Sequence, residues 1–181
     1  MRSWVLHFST VAVLMSGAVA AELQVPGIGN FHVVNEHIYR GAQPSPQGFH
    51  NLAKLGVKTI VDLREGTSRE AGESGVVTNE GMRYFHVPMA ASGAPTAEQV
   101  YSVLHFLNDD ANWPVFIHCR RGADRTGTVL ACYRIAHDSW PNEKALSEAK
   151  LDGMSPLERA MQRYILSFRP DPVQLAQIAV Q

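Results

Sequence analysis

Residues 118–127 read HCRRGADRTG and follow directly on the apolar run Val115, Phe116 and Ile117. A cysteine kept for packing sits among apolar neighbours, whereas Cys119 stands beside Arg120, Arg121 and Arg125. The apolar run reads as a strand and the residues from Gly127 onward as a helix, so the stretch between them is a strand-loop-helix socket. In such a socket the loop N–H groups converge and the helix N-terminus adds partial positive charge, which suits an anion. The same donors and a nearby arginine lower the pKa of Cys119 and favour a thiolate near neutral pH. Arg125 can offer two parallel N–H donors to two oxygens of one phosphoryl group. Gly122 suits a backbone position with positive φ in so tight a curl. Thr126 can hydrogen-bond the sulfur and help it leave when water attacks. The set describes nucleophilic catalysis on a phosphate monoester through a phosphocysteine, with Arg120, Arg121, Gly122, Ala123, Asp124 and Arg125 cradling the phosphate.

The elements that must hold this loop are an alternation of strands and helices. Short β-branched or aromatic runs occur at 31–34, 58–63, 82–87 and 115–118. Helical patterns lie between them, which predicts an α/β fold with a central, mainly parallel sheet flanked by helices. The clearest helix starts at Thr96, where TAEQ forms a capping box and Val100, Val103, Leu104 and Leu107 follow at helical spacing. A second is expected from Ser155, with Pro156 at its first position and Glu158 three residues after the cap. Residues 64–81 are polar and glycine-rich, and read as a mobile loop or an irregular helix.

His118-Cys119, five residues, then Arg125-Thr126-Gly127 match the signature H-C-x5-R-[ST]-G, and on these residues the chain resembles the protein tyrosine phosphatase superfamily, in its compact dual-specificity type. YRGAQP at 39–44 resembles the segment before the first helix of such proteins, and GVKTIVDLR at 56–64 the strand after it. The resemblance spans roughly residues 31–168 and implies a cysteine phosphatase fold. It implies phosphotyrosine-like, phosphoinositide or inositol-phosphate substrates and a supporting role for His118, which orders the loop in that family. A rhodanese-type sulfurtransferase loop would resemble C-x4-R, one residue shorter than the loop here.

The resemblance also exposes a departure. Most members carry a general-acid aspartate on a loop some 30 residues upstream of the signature, and the corresponding VPMAASGAPTAEQ, 87–99, has no aspartate. Its only carboxylate, Glu98, is suitably placed to favour the first turn of the Thr96 helix. Asp124 is the other candidate, since some lipid-directed and bacterial members carry D-R-T at this place. An aspartate there can equally orient Arg125 or cap the following helix. Asp62 and Arg64 can line the site or form a local ion pair worth little. A phosphate-binding pseudophosphatase with little turnover is the alternative reading.

The 181 residues, 45% hydrophobic and 18% charged, fit one globular domain, expected over 21–181. A net charge of −1 without a basic stripe gives no reason to expect nucleic-acid binding. The partners expected are a phosphorylated protein or a small phosphorylated substrate, met by a monomer. The histidines form no zinc-ligand motif and no dinucleotide or Walker loop appears, so neither a metal nor another cofactor is expected. His86 reads as a loop-packing histidine. Arg2, an apolar run from Val11 and Ala18-Val19-Ala20 have the form of a signal peptide cut after Ala20, which predicts export to the periplasm or medium and no membrane span thereafter. Cys132, about two turns into the helix expected from Gly127, reads as a small buried hydrophobe outside disulfide reach of Cys119.

Overall fold

In the computed structural model, residues 24–66 and 68–177 are described. The signal-like segment, residues 1–20, lies outside them. Strands β1 (His32–Val33), β2 (Ile38–Ala42), β3 (Thr59–Asp62), β4 (Arg83–His86) and β5 (Val115–Cys119) form one sheet in the order β1-β2-β5-β3-β4. The three pairings among β2, β5, β3 and β4 are parallel, and β1 is antiparallel to β2. The expected sheet is thus present. Its second strand, β2, carries YRGA of the 39–44 segment and gave no strand signal, because Arg40 and Gly41 interrupt the apolar pattern.

Helix α1 (Pro46–Lys54) lies on the same face as α2 (Ser68–Asn79), and β5 divides two packed layers. Val115, Ile117 and Cys119 point to one layer with residues of α3 (Ala97–Asn108), α4 (Asp124–Ala136), α5 (Asn142–Leu151) and α6 (Arg159–Ser167). Phe116 points to the other, with Phe49 and Leu52 of α1 and Val77 of α2. The alternation of a strand therefore sends Cys119 and His118 to opposite faces of the sheet. Phe49 and Phe116 flank the His118 ring, with centroids at 6.4 and 5.8 Å. Val25 and Ile28 are buried in the Phe116 layer, so the packed unit begins ahead of residue 31. A short α7 (Pro172–Gln177) ends the described chain.

Two helix starts differ in outcome. Thr96 makes the expected reciprocal cap, with its hydroxyl accepting from Gln99 N–H and the Gln99 side chain accepting from Thr96 N–H. The Ser155 helix begins instead at Arg159. Ser155 N–H is committed to the Asp124 carboxylate at 2.8 Å, and its hydroxyl accepts from Leu157 N–H in a tight turn. Those bonds hold residues 155–158 out of the helix. The glycine-rich stretch after Arg64, read as a mobile loop or irregular helix, contains the helix α2.

Candidate active site

Cys119 is the last residue of β5, in register with Ala42 of β2, and α4 begins five residues later. The intervening turn is tight. Gly122 has φ +68°, and a Cβ on it would fall 2.2–2.5 Å from the backbone of Gly41 and Ala42. Glycine is thus required twice over, for conformation and for space. A cavity of about 370 Å³ opens above the loop, lined by Ala91, Cys119, Arg120, Arg121, Asp124 and Arg125.

The thiol of Cys119 is buried, and burial alone would raise its pKa. Hydrogen bonds from the hydroxyl and N–H of Thr126, the charge of Arg125 and the N–H of Arg121 outweigh burial and hold it below the ordinary thiol value. Burial acts unopposed on Cys132 and drives its thiol far up. The two cysteines are both free thiols of opposite character.

Arg125 is aimed from behind. Its Nη1 donates to the carbonyl oxygens of Met89 and Leu63, at 3.2 and 3.4 Å, which anchors the guanidinium beside the cavity it lines. Arg120 and Arg121 are exposed at the rim. Arg121 is tied back to the loop, its Nη2 donating to Asp124 Oδ2.

The two acid candidates separate clearly. Glu98 is exposed in the first turn of α3 and does not line the cavity, whereas Asp124 is 6% exposed and does. Asp124 neither caps α4, whose N-cap is Ala123 without a side-chain bond, nor bonds Arg125. Its carboxylate joins Arg121 of the loop to Ser155 N–H of the turn before α6.

Four supporting residues were not singled out from sequence. Arg40, 2% exposed, donates from Nη2 to the Gly122 carbonyl and from Nη1 to Asp152 Oδ2 at 2.5 Å. Asn30 donates to the carbonyls of Gly122 and Asp152, at 3.2 and 3.0 Å, from the opposite end of the chain. An arginine inside an otherwise apolar strand was the available signal for Arg40, because a buried guanidinium must find acceptors. Asn30 and Asp152 carry no such mark.

The fourth is Glu73 of α2. Asp62 and Arg64 form no exposed ion pair: Asp62 is fully buried, and its Oδ2 lies 2.5 Å from Arg64 Nη2. The same Nη2 is 2.7 Å from Glu73 Oε2, which also accepts from Gln43. Glu73 Oε1 is 3.0 Å from His118 Nε2, and Asp62 Oδ1 is 3.9 Å from its Nδ1. Tyr84 donates to Asp62 Oδ2 at 2.8 Å, and His86 packs its Nε2 2.7 Å from the Arg64 carbonyl. Burial pushes Asp62 up, but the Arg64 hydrogen bonds and the His118 ring pull its carboxyl below the usual range. Asp62, Glu73 and His118 present ligand atoms within 4.8 Å of one another, a grouping no sequence spacing announced. Arg64 already bridges the two carboxylates, so the place a divalent cation would take faces a fixed positive charge.

A strand-loop-helix cradle with a buried cysteine of lowered pKa and an anchored arginine on the same cavity, carried by this sheet order, defines a cysteine phosphatase fold. A family model described as DSP-PTPase phosphatase fused to NAD+ kinase matches residues 27–165, and the chain belongs to that compact dual-specificity branch of the protein tyrosine phosphatase superfamily. It is 33% identical over 150 residues, 82% of its length, to the dual specificity protein phosphatase TpbA of Pseudomonas aeruginosa. It is 31% identical over 122 residues, 66% of its length, to the inositol diphosphatase DSP3 of Arabidopsis thaliana. The chain spans 65% and 60% of those relatives' own lengths. Among solved structures, the catalytic core of the PP-IP phosphatase Siw14 from S. cerevisiae aligns with a TM-score of 0.73 at 27% identity, covering 86% of this chain and 94% of that one. TpbA aligns at 0.71 and 28%, covering 87% and 95%.

Proposed function

We propose that the protein is an exported, cysteine-dependent phosphatase in which Cys119 is the nucleophile. The observation that carries this reading is the thiol of Cys119 held below its ordinary pKa while Arg125 is aimed at the same cavity. The thiolate attacks phosphorus, so that a P–S bond forms as the bond to the leaving oxygen breaks. Arg125 and the loop N–H groups hold the equatorial oxygens as charge develops on them. Water then attacks phosphorus, the P–S bond breaks with Thr126 donating to the departing sulfur, and phosphate leaves. His118 supports the loop from beneath the sheet, and Arg120 and Arg121 meet further charge at the rim.

The leaving oxygen needs a proton unless it departs as the anion of a comparatively strong acid. Asp124 is the carboxylate at the cavity, but it is committed to Arg121 and Ser155. This favours substrates whose leaving group is a stable anion, such as activated aryl phosphates and the phosphoanhydrides of polyphosphorylated small molecules, over alkyl phosphate esters. A named inositol diphosphatase and a PP-IP phosphatase among the similar proteins support the second class, and a TpbA complex with pTyr supports the first. The signal-like N-terminus supports export; among the described residues no helix is long and apolar enough to cross a membrane.

The test is phosphate release from p-nitrophenyl phosphate by the mature protein, with reductant and EDTA, against Cys119→Ser. Turnover lost in the variant is the expected result. A wild-type protein that binds vanadate without turning over the ester would make the site a phosphate receptor instead.

A further inference from the structure

Three consecutive carbonyls of the loop are held from outside it. The Arg120 oxygen accepts from Gln43 N–H at 3.4 Å. The Arg121 oxygen accepts from Asn30 Nδ2 at 3.4 Å, and the Gly122 oxygen from the same Nδ2 at 3.2 Å and from Arg40 Nη2. Gln43, Asn30 and Arg40 stand outside the lining of the cavity, whereas Cys119, Arg121 and Arg125 belong to it. In a trans peptide the C=O and the following N–H point opposite ways. Carbonyls drawn outward therefore send the N–H groups of Arg121, Gly122 and Ala123 inward. The first of them is seen to arrive, because Arg121 N–H bonds the Cys119 sulfur.

We infer that Arg40 and Asn30 are positioning residues that aim the Gly122 and Ala123 N–H groups at the oxygens of a bound phosphoryl group, by holding the carbonyl ends of those two peptides. The inference deepens the phosphatase reading and rests on it only for the identity of the anion. Strand β2 places the guanidinium: Arg40 is in register with Ile117, as Ala42 is with Cys119, so its side chain leaves the sheet on the face of Cys119. Arg40 is 2% exposed, and its Nη1 is anchored on Asp152 Oδ2 at 2.5 Å while Nη2 reaches Gly122. A charged donor on a carbonyl polarises the whole amide and makes its N–H the stronger donor. Asn30 adds a neutral hold, and its Oδ1 lies 3.0 Å from His32 Nε2, which sets the way the amide faces. Its Nδ2 also reaches the Asp152 carbonyl at 3.0 Å, so the segment ahead of β1, the loop and the end of α5 meet at one point.

The test separates anion binding from the state of the thiol. Arg40→Lys keeps a cation that can reach Asp152 but loses the fork that holds Gly122 at the same time. Tungstate serves as the phosphate-shaped probe, its affinity read by calorimetry on the mature protein well below the Tm of each variant. The expected result is an affinity lower by about 10–100-fold. The pH midpoint for alkylation of Cys119 by iodoacetamide should stay in place, since the donors to the sulfur belong to Arg121 and Thr126. Wild-type tungstate affinity in the variant overturns the inference. A midpoint that rises together with the loss of affinity overturns it as well, because it marks a loop undone as a whole by a structural defect. Should Arg40→Lys fail to fold, Asn30→Ala removes the neutral hold alone, and the same split is expected with a loss of about 3–10-fold; unchanged affinity there is equally fatal. Neither readout needs turnover. A protein that binds tungstate but hydrolyses no phosphate ester would end the phosphatase reading, while the roles of Arg40 and Asn30 would still stand or fall on these measurements.

Discussion

Replacing Gly122 by alanine adds one methyl group at the point where the loop crosses β2. That Cβ would lie 2.2 Å from the Gly41 carbonyl carbon, 2.3 Å from its oxygen and 2.5 Å from Ala42 N, about 1.2 Å inside the 3.4 Å of an ordinary contact. All three atoms are backbone of a strand paired with β1 and β5, so no flexible side chain can give way. The loop must move by about 1 Å or leave φ +68°, and a left-handed alanine costs about 1–2 kcal/mol by itself. In a protein of this size that corresponds to a Tm lowered by about 2–8 °C. The larger effect falls on chemistry. The N–H groups between Cys119 and Arg125 move with Gly122, and a misplacement of about 1 Å costs on the order of 10²-fold in rate. The assay is kcat/KM for p-nitrophenyl phosphate together with vanadate affinity and a thermal melt. A Gly122→Ala protein with wild-type kcat/KM, vanadate affinity and Tm would refute the argument that glycine is dictated there.

Other substitutions separate the remaining roles. With Asp124→Asn, p-nitrophenyl phosphate turnover is expected to hold within a few-fold, since its leaving group needs little protonation. Phosphotyrosine turnover falls by about 10²–10⁴ if the carboxylate is the acid, and an equal change on both substrates would reduce Asp124 to the tie between Arg121 and Ser155. Iodoacetamide near neutral pH should label one thiol per folded chain, at Cys119, because Cys132 is buried with its pKa raised; mass spectrometry finding Cys132 labelled first would contradict this. Arg64→Met leaves Asp62 and Glu73 facing each other, for which breaking a buried pair suggests a loss of about 3–5 kcal/mol in denaturant unfolding. The Asp62 carboxyl is depressed in the fold, so its contribution is complete above the ordinary carboxylate range and lost as pH falls through its folded value. Wild-type stability should therefore drop on acidification below about pH 4, and a flat profile there would count against the pairing.

Legibility in the sequence followed the range of the forces involved. Cys119, Arg125, Thr126 and Gly122 lie within eight consecutive residues, so their shared cradle could be read from one segment. The Thr96 capping box is equally local and is present as expected. Ser155 carried similar cap chemistry, but its N–H was claimed by Asp124 from 31 residues away, and no local pattern records that competition. β2 was hidden because its arginine is satisfied by Gly122 and Asp152, 82 and 112 residues distant. Glu73 looked like one acidic residue in a polar stretch, and only the folding of α2 over β3 and β5 brings it to His118.

Cys119 belongs to the central strand of its sheet, with β2 on one side and β3 on the other. Amides in such a strand exchange with solvent only when the whole structure opens, while those of edge strands and surface turns exchange through small local fluctuations. The reactive sulfur thus hangs from the strand expected to exchange its amides most slowly. Loss of its reactivity on warming should coincide with global unfolding and not precede it, so that the lifetime of the nucleophile is the lifetime of the native state itself.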